Sequence, residues 1–169
     1  MVKKKEEQTT GKNIGKNMCK MEQKLQRKHL IALSFFLPLL VMTGCCIAFG
    51  VQPFGDNSLL IIDGLHQYMP FYSVLYDKLK GGEPLFYSFR SGLGINFLSL
   101  FSYYLSSPFN LLILFFKKSQ LNMAVSMIIV LKIACSGMTA GIYFSSKSKK
   151  QGFSTVMISM AYALSSYMV

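Results

Sequence analysis

Two long apolar runs and a shorter third one set the architecture of the chain. The first covers residues 30–52 without a charge, and the second covers residues 121–144 with Lys132 as its one interior charge. As helices rising about 1.5 Å per residue, both exceed the roughly 30 Å hydrocarbon core of a bilayer. The third run covers residues 153–169 and has no polar flank before the sequence ends. The pattern predicts two transmembrane helices and the start of a third, truncated helix.

Residues 93–116 form a further apolar stretch whose placement depends on the charges around it. Polar or helix-breaking residues interrupt it: Ser106, Ser107, Pro108 and Asn110. Cytoplasmic loops of membrane proteins carry an excess of Lys and Arg. If residues 93–116 do not cross, the three lysines of the loop 145–152 share the cytoplasmic side with the basic N-terminal tail. If they cross, only Lys117 and Lys118 lie on the cytoplasmic side, and the three lysines of the loop lie outside. Since three lysines outweigh two, the charges favour a re-entrant or interfacial segment.

On this topology residues 53–120 form an external loop, and its first helix is amphipathic. At 100° per residue, positions 63–79 separate into an apolar and a polar side. The apolar side carries Leu65, Tyr68, Met69, Tyr72, Leu75, Tyr76 and Leu79, and the polar side carries Asp63, His66, Gln67, Asp77 and Lys78. Pro70 either kinks this helix or marks its true start. The pattern is typical of a helix in the headgroup plane, although a simple amphipathic connector has the same pattern.

The net charge of +11 is concentrated at the N-terminal end of the chain. Nine basic and three acidic residues fall within residues 1–28, directly before an apolar run. A nucleic-acid-binding protein instead spreads its basic residues over a folded face, so we expect no nucleic-acid partner. Residues 1–29 are predicted to be a disordered cytoplasmic tail. With 51% hydrophobic and 15% charged residues, the chain is predicted to be an all-α, polytopic membrane protein with its N-terminus in the cytoplasm.

Candidate chemistry is concentrated in the predicted external loop. Residues 53–92 hold four of the seven acids. Asp63 begins the amphipathic helix at the membrane surface, where a carboxylate can bind a divalent cation beside a phosphate or act as a general base. Lys132, inside the second apolar run, is a candidate for binding a phosphate or an acid of another helix. Snorkelling of the ammonium to the headgroups is the alternative explanation.

Three sequence blocks of this loop resemble the bacterial YfhO family of multi-spanning membrane proteins. They are Asp63 followed by Gln67-Tyr68 within IIDGLHQYMPFYSVL, the FYSF-x-x-GLG-x-N-F block, and YYL-x-SPFNLL. The resemblance extends more loosely to AYALSSY at residues 161–167, so it covers nearly all of the chain after the basic tail. That family is much longer and is similar to membrane glycosyltransferases of the GT-C architecture.

The resemblance implies an enzyme that takes sugar from a polyprenyl-phosphate carrier on the external face of the bacterial cell membrane. The implied acceptor is an envelope polymer such as lipoteichoic acid. Asp63 would be the catalytic base or would help to hold a metal, so a divalent metal ion is the cofactor implied. His66, Gln67 and Tyr68 would line the substrate site. Arg90 would bind the carrier phosphate through bidentate contacts, with anchoring at the interface as its alternative role.

The chain departs from the family in length. We therefore expect an N-terminal fragment of a sugar transferase, inactive by itself. Two other classes remain open. One is a transporter or flippase component in which Lys132 and the external acids line a path. The other is a small, non-enzymatic membrane subunit that is complete at 169 residues, and the coding sequence beyond Val169 distinguishes it from a fragment.

Overall fold

The structure is a computed structural model that describes residues 27–90, 93–147 and 153–165. The helices are α1 (Arg27–Ala48), α2 (Met69–Gly81), α3 (Phe97–Leu100), α4 (Leu121–Lys147) and α5 (Phe153–Ala163). Turns of π-helix cover Gly64–Tyr68 and Phe101–Leu105, and 3₁₀ segments cover Pro108–Phe115 and Lys118–Gln120. The strands β1 (Tyr87–Ser88) and β2 (Ile95–Asn96) form an antiparallel hairpin. Helices therefore dominate the described chain, and the predicted all-α fold class is confirmed.

The first helix differs from its predicted bounds at both ends. It already includes residues 27–29, which the sequence analysis placed in the tail, and it ends at Ala48. The early end follows from Gly50, whose φ of 60° takes the chain out of the helix, while Val51 N donates to Cys46 O at 2.8 Å. A left-handed glycine of this kind is the usual stop for a helix. The predicted disorder of the tail, at residues 1–26, lies outside the described residues.

Among the described residues, two helices are long and apolar enough to cross a membrane, namely Arg27–Ala48 and Lys118–Lys147. In the same part of the chain a third span is present if Phe97–Leu105 and Pro108–Phe115 count as one, and these two segments are bent by 100°. The bend has a local cause, because Ser107 is extended before Pro108, and a residue before proline is disfavoured in the helical region. The geometry is that of a broken span or a re-entrant loop.

The structure divides into two compact units, and the first of them contains Leu40–Lys132. Its core joins one side of α2 to the 97–115 region and to the beginning of α4. The buried apolar side chains are Tyr72, Val74, Leu75, Tyr76, Phe97, Leu105, Ile113, Leu121, Val125 and Ile128. Six residues of the predicted apolar side are thus buried in this core or packed against it, whereas Leu65 is 44% exposed.

Buried polar side chains fix the elements of this core to one another. Tyr72 Oη donates to Asn110 Oδ1 at 3.1 Å, and Asn110 Nδ2 donates to Leu105 O at 3.1 Å. Burial raises the pKa of Tyr72 to about 12, an effect that the neighbouring Tyr68 increases and the Asn110 hydrogen bond opposes. The phenol therefore stays a proton donor at neutral pH. A buried amide without hydrogen-bond partners would be costly. Asn110 therefore favours the one packing of α2 against the bent segment in which both of these hydrogen bonds form.

Of the described residues, the second unit contains 27–39, 133–147 and 153–165. Small residues allow its helices to approach closely. A Cβ atom on Gly137 of α4 would lie 2.5 Å from the backbone oxygen of Ser34 in α1 and 3.3 Å from Cβ of Ala163 in α5. Small residues at the contact allow such a close approach of helices.

Candidate functional site

Asp63 lies where the backbone takes two unusual conformations in succession. Ile62, directly before it, has a φ of 48°, which is a genuine outlier for a β-branched residue. Directly after it, Gly64–Tyr68 forms a turn of π-helix instead of α-helix. His66 N donates to Ile62 O at 2.9 Å and Gly64 N donates to Ile61 O at 3.0 Å, so backbone hydrogen bonds hold the strained residue. Both features occur preferentially at functional segments.

The carboxylate of Asp63 is exposed and makes no side-chain capping hydrogen bond to its turn. Within the described parts of the chain it also has no ion-pair partner. Two other acids of the same region differ, because Asp77 pairs with Arg90 and Lys118, and Glu83 pairs with Arg90. Asp63 is therefore a carboxylate that is left available for a ligand.

Two of the residues predicted to share the site with Asp63, Gln67 and Tyr68, contact Tyr104, which lies in the second π-helical turn. Gln67 Nε2 donates to Tyr104 Oη at 3.2 Å. The rings of Tyr68 and Tyr104 meet edge to face with centroids 5.1 Å apart. His66 is exposed, and no side-chain hydrogen bond or ion pair of it is found among the described residues. The structure thus joins Gln67 and Tyr68 through Tyr104, without a direct hydrogen bond from either to Asp63.

Arg90, predicted to meet a phosphate, belongs to a cluster of charges at the end of α2. Its Nη1 lies 2.5 Å from Asp77 Oδ2, and its Nη2 lies 3.3 Å from Glu83 Oε1. Lys118 Nζ lies 2.6 Å from the same oxygen of Asp77. With Lys78, which lies 3.7 Å from Glu83 Oε2, this charge cluster holds three cations and two carboxylates. It therefore keeps an excess of positive charge.

Lys78 is the residue of this region that the sequence pattern placed wrongly. The helical pattern put it on the polar side of the helix, but it is 4% exposed. Its ammonium donates to Pro84 O and Tyr87 O, both at 2.9 Å, and lies 5.5 Å from the ring centroid of Phe97. The sequence feature that could have indicated this burial is Gly82, just after α2. Its φ of 67° ends the helix and turns the chain back, so that the carbonyls of Pro84 and Tyr87 reach the ammonium.

The charge cluster should make stability sensitive to acid. The hydrogen bond from Lys118 lowers the pKa of Asp77 below its usual 3.8; partial burial opposes this, and the charges of Lys118 and Arg90 lower it further. Because the folded-state pKa is the lower one, the pairing stabilises the fold fully above pH 3.8 and is lost as pH falls through the folded value. Thermal unfolding measured as a function of pH should show this loss. Asp77→Asn should remove it and Asp56→Asn, at an exposed acid, should keep it; equal acid dependence in both variants would contradict the assignment.

Comparison with known proteins decides the family of this chain. The model of the family described as bacterial membrane protein YfhO matches residues 34–169. The chain belongs to the YfhO family. The curated proteins and the solved structures contain no match. Membership in a bacterial membrane family, together with the two long apolar helices, establishes an integral membrane protein that associates with the lipid bilayer.

A metal ion bound at Asp63 would need further ligands that the described side chains do not supply. Among the described residues there is no group of three or more His, Cys, Asp or Glu side chains that could hold one. Mg²⁺, however, is commonly bound by one or two carboxylates together with water and substrate phosphates. The exposed carboxylate of Asp63 fits that donor set. It could supply one oxygen ligand to an ion that arrives with a phosphorylated substrate.

Proposed function

We propose that this YfhO-family chain belongs to a membrane sugar transferase that uses a polyprenyl-phosphate sugar donor and glycosylates an envelope polymer such as lipoteichoic acid. The observation that carries the proposal is the carboxylate of Asp63, exposed and unpaired on a strained turn among the described residues. A group in this state can accept a proton from an attacking hydroxyl or coordinate a metal beside the carrier phosphate. Family membership and the resemblance to GT-C enzymes support the same reaction class.

In this proposal the N-terminus is cytoplasmic and residues 53–120 face the outside, as the distribution of lysines favours. The bent pair Phe97–Leu105 and Pro108–Phe115 then lies at the outer surface of the bilayer, as a re-entrant or interfacial segment. A lipid-linked donor would approach along this surface. The topology can be tested with a membrane-impermeant thiol reagent on intact cells carrying a cysteine at position 148, where the absence of labelling supports the cytoplasmic placement.

The other residues of the proposed site have distinct roles. Gln67 and Tyr68 hold the turn of Asp63 against Tyr104, and the exposed His66 is free to contact the substrate. Arg90 has five N–H donors, and two of its nitrogens already bind Asp77 and Glu83. Because the charge cluster keeps an excess of positive charge, its remaining donors can bind the carrier phosphate.

Asp63→Asn in the full-length protein should abolish glycosylation of the envelope polymer without reducing the amount of protein in the membrane. The amide keeps the size of the side chain but cannot accept the proton, and loss of a general base typically costs roughly 100-fold or more. Glycosylation is measured as sugar content of the isolated polymer. Asp56→Asn is the matched control, since Asp56 is also exposed but follows no strained residue. Retained glycosylation in Asp63→Asn would remove Asp63 from the catalytic role.

A further inference from the structure

An open pocket of about 500 Å³ lies beside the segment that follows β2. Its lining residues are Asn96, Leu98, Ser99, Ser102 and Tyr103. Pockets that bind small molecules commonly have volumes between roughly 300 and 1,000 Å³. The proposed function above assigns no role to any of these five residues. They come from one continuous stretch that begins at Asn96, the last residue of β2, and runs through α3 into the π-helical turn after it.

The polar groups of the pocket offer both donors and acceptors to a ligand. Asn96 Oδ1 accepts a hydrogen bond from Ser99 N at 3.3 Å, so its amide nitrogen is left to donate outward. Ser102 Oγ donates to Leu98 O at 2.9 Å, so its lone pairs are left to accept. Within the described chain, no side-chain hydrogen bond engages the hydroxyls of Ser99 and Tyr103.

The lining also contains an apolar face but no charge. The ring of Tyr103 is 80% exposed, and its edge-to-face contact with Tyr104, at 4.6 Å between centroids, limits its motion. Leu98 lies beside it and is 39% exposed. A phosphate or carboxylate would find no cation among the lining residues. The chemistry that matches is an uncharged ring with hydroxyl groups at its edge and C–H groups on its face.

We propose that this pocket is a subsite for a sugar ring, which deepens and rests on the proposed sugar-transferase function. Its connection to Asp63 runs through adjacent residues of one turn. Tyr103 lines the pocket, while Tyr104 accepts the hydrogen bond of Gln67 and contacts the ring of Tyr68. The π-helical turn of Asp63 is thereby packed against the π-helical turn of the pocket. The sugar can come from the lipid-linked donor or from the growing polymer.

Direct binding to the full-length protein in lipid nanodiscs tests the subsite without requiring transfer. The probes are glucose, N-acetylglucosamine and glycerol, with glucose phosphate as the charged analogue, followed by ligand-observed NMR. We expect a neutral sugar to bind and the Ser99→Ala/Ser102→Ala double variant to weaken it about tenfold, as the loss of one or two hydrogen bonds predicts. Asn96→Asp keeps the oxygen that caps Ser99 N and should weaken binding to a similar extent in a folded protein.

Ser106→Ala is the matched control, because this exposed serine lies just beyond the pocket-lining stretch, and it should leave binding unchanged. Absence of neutral-sugar binding, tighter binding of glucose phosphate, or an equal loss in Ser106→Ala would overturn the proposal. Displacement of the bound sugar by a polyprenyl-phosphate sugar would identify the donor as its source, and displacement by the isolated polymer would identify the acceptor. Asp63→Asn should bind sugar normally. If that variant also transfers sugar, the catalytic role of Asp63 fails while the subsite stands.

Discussion

Lys78→Met should open the hairpin of β1 and β2 while leaving the helices of the protein in place. The buried ammonium supplies hydrogen bonds to Pro84 O and Tyr87 O. Methionine fills a similar volume but donates nothing, and a hydrogen bond from a charged donor is worth about 1.5–3 kcal/mol. Without these two hydrogen bonds the hairpin is held to α2 less firmly and separates from it more often.

Hydrogen exchange at the amide of Phe97 is the sharpest measurement of this opening, because that N–H donates to Phe86 O at 3.0 Å across the hairpin. A loss of about 2 kcal/mol corresponds to exchange that is roughly 30-fold faster. Lys80→Met is the matched control. Lys80 is exposed and has only a contact with the ring of Tyr76, at 5.1 Å from its centroid, which is worth about 1 kcal/mol or less. Equal exchange rates in the two variants would show that Lys78 does not hold the hairpin.

Lys78 also shows where reasoning from the sequence stopped. Helical periodicity correctly assigned Tyr72, Leu75 and Tyr76 to the buried side of α2, because periodicity depends only on spacing along one helix. The same rule sends every lysine to the polar side. The burial of Lys78 depends instead on two carbonyls that arrive from beyond the turn at Gly82. Nothing in the spacing of α2 contains that information.

The candidate site divides in the same way. Asp63 could be selected from its place at the start of a helical pattern, and the family resemblance supported the choice. The strained φ of Ile62 could not be predicted, since an isoleucine gives no signal for the left-handed region. The partners of Arg90 were missed because Asp77 and Glu83 lie 13 and 7 residues away and only the fold of the turn brings them together. The place of Asp63 at the start of a helical turn could therefore be predicted, and the pairing between distant segments could not; the role of Asp63 stays a prediction.

Gly137→Ala should destabilise the protein even though alanine is the better helix former. The new Cβ would lie 2.5 Å from Ser34 O and 3.0 Å from Pro38 Cγ. Ser34 O belongs to the backbone, so α1 itself must shift, and overpacking of this kind costs about 1–3 kcal/mol. The gain in helix propensity of about 1 kcal/mol offsets only part of it. The thermal midpoint of the full-length protein in detergent should therefore fall.

Gly44→Ala is the control for this prediction, because it makes the same change in α1 where nothing lies within 4 Å of the added Cβ. Only the propensity term remains there, so its thermal midpoint should rise. Gly141→Ala should also lower the midpoint, since its added Cβ would lie 2.7 Å from Ser34 Oγ and 2.8 Å from Ser34 Cβ, and Ser34 Cβ moves only with α1. The predicted order separates steric contact from propensity. If Gly137→Ala were as stable as Gly44→Ala, α1 and α4 could not approach each other at Ser34 as closely as described. Close packing would then not be the reason for the small residue at position 137.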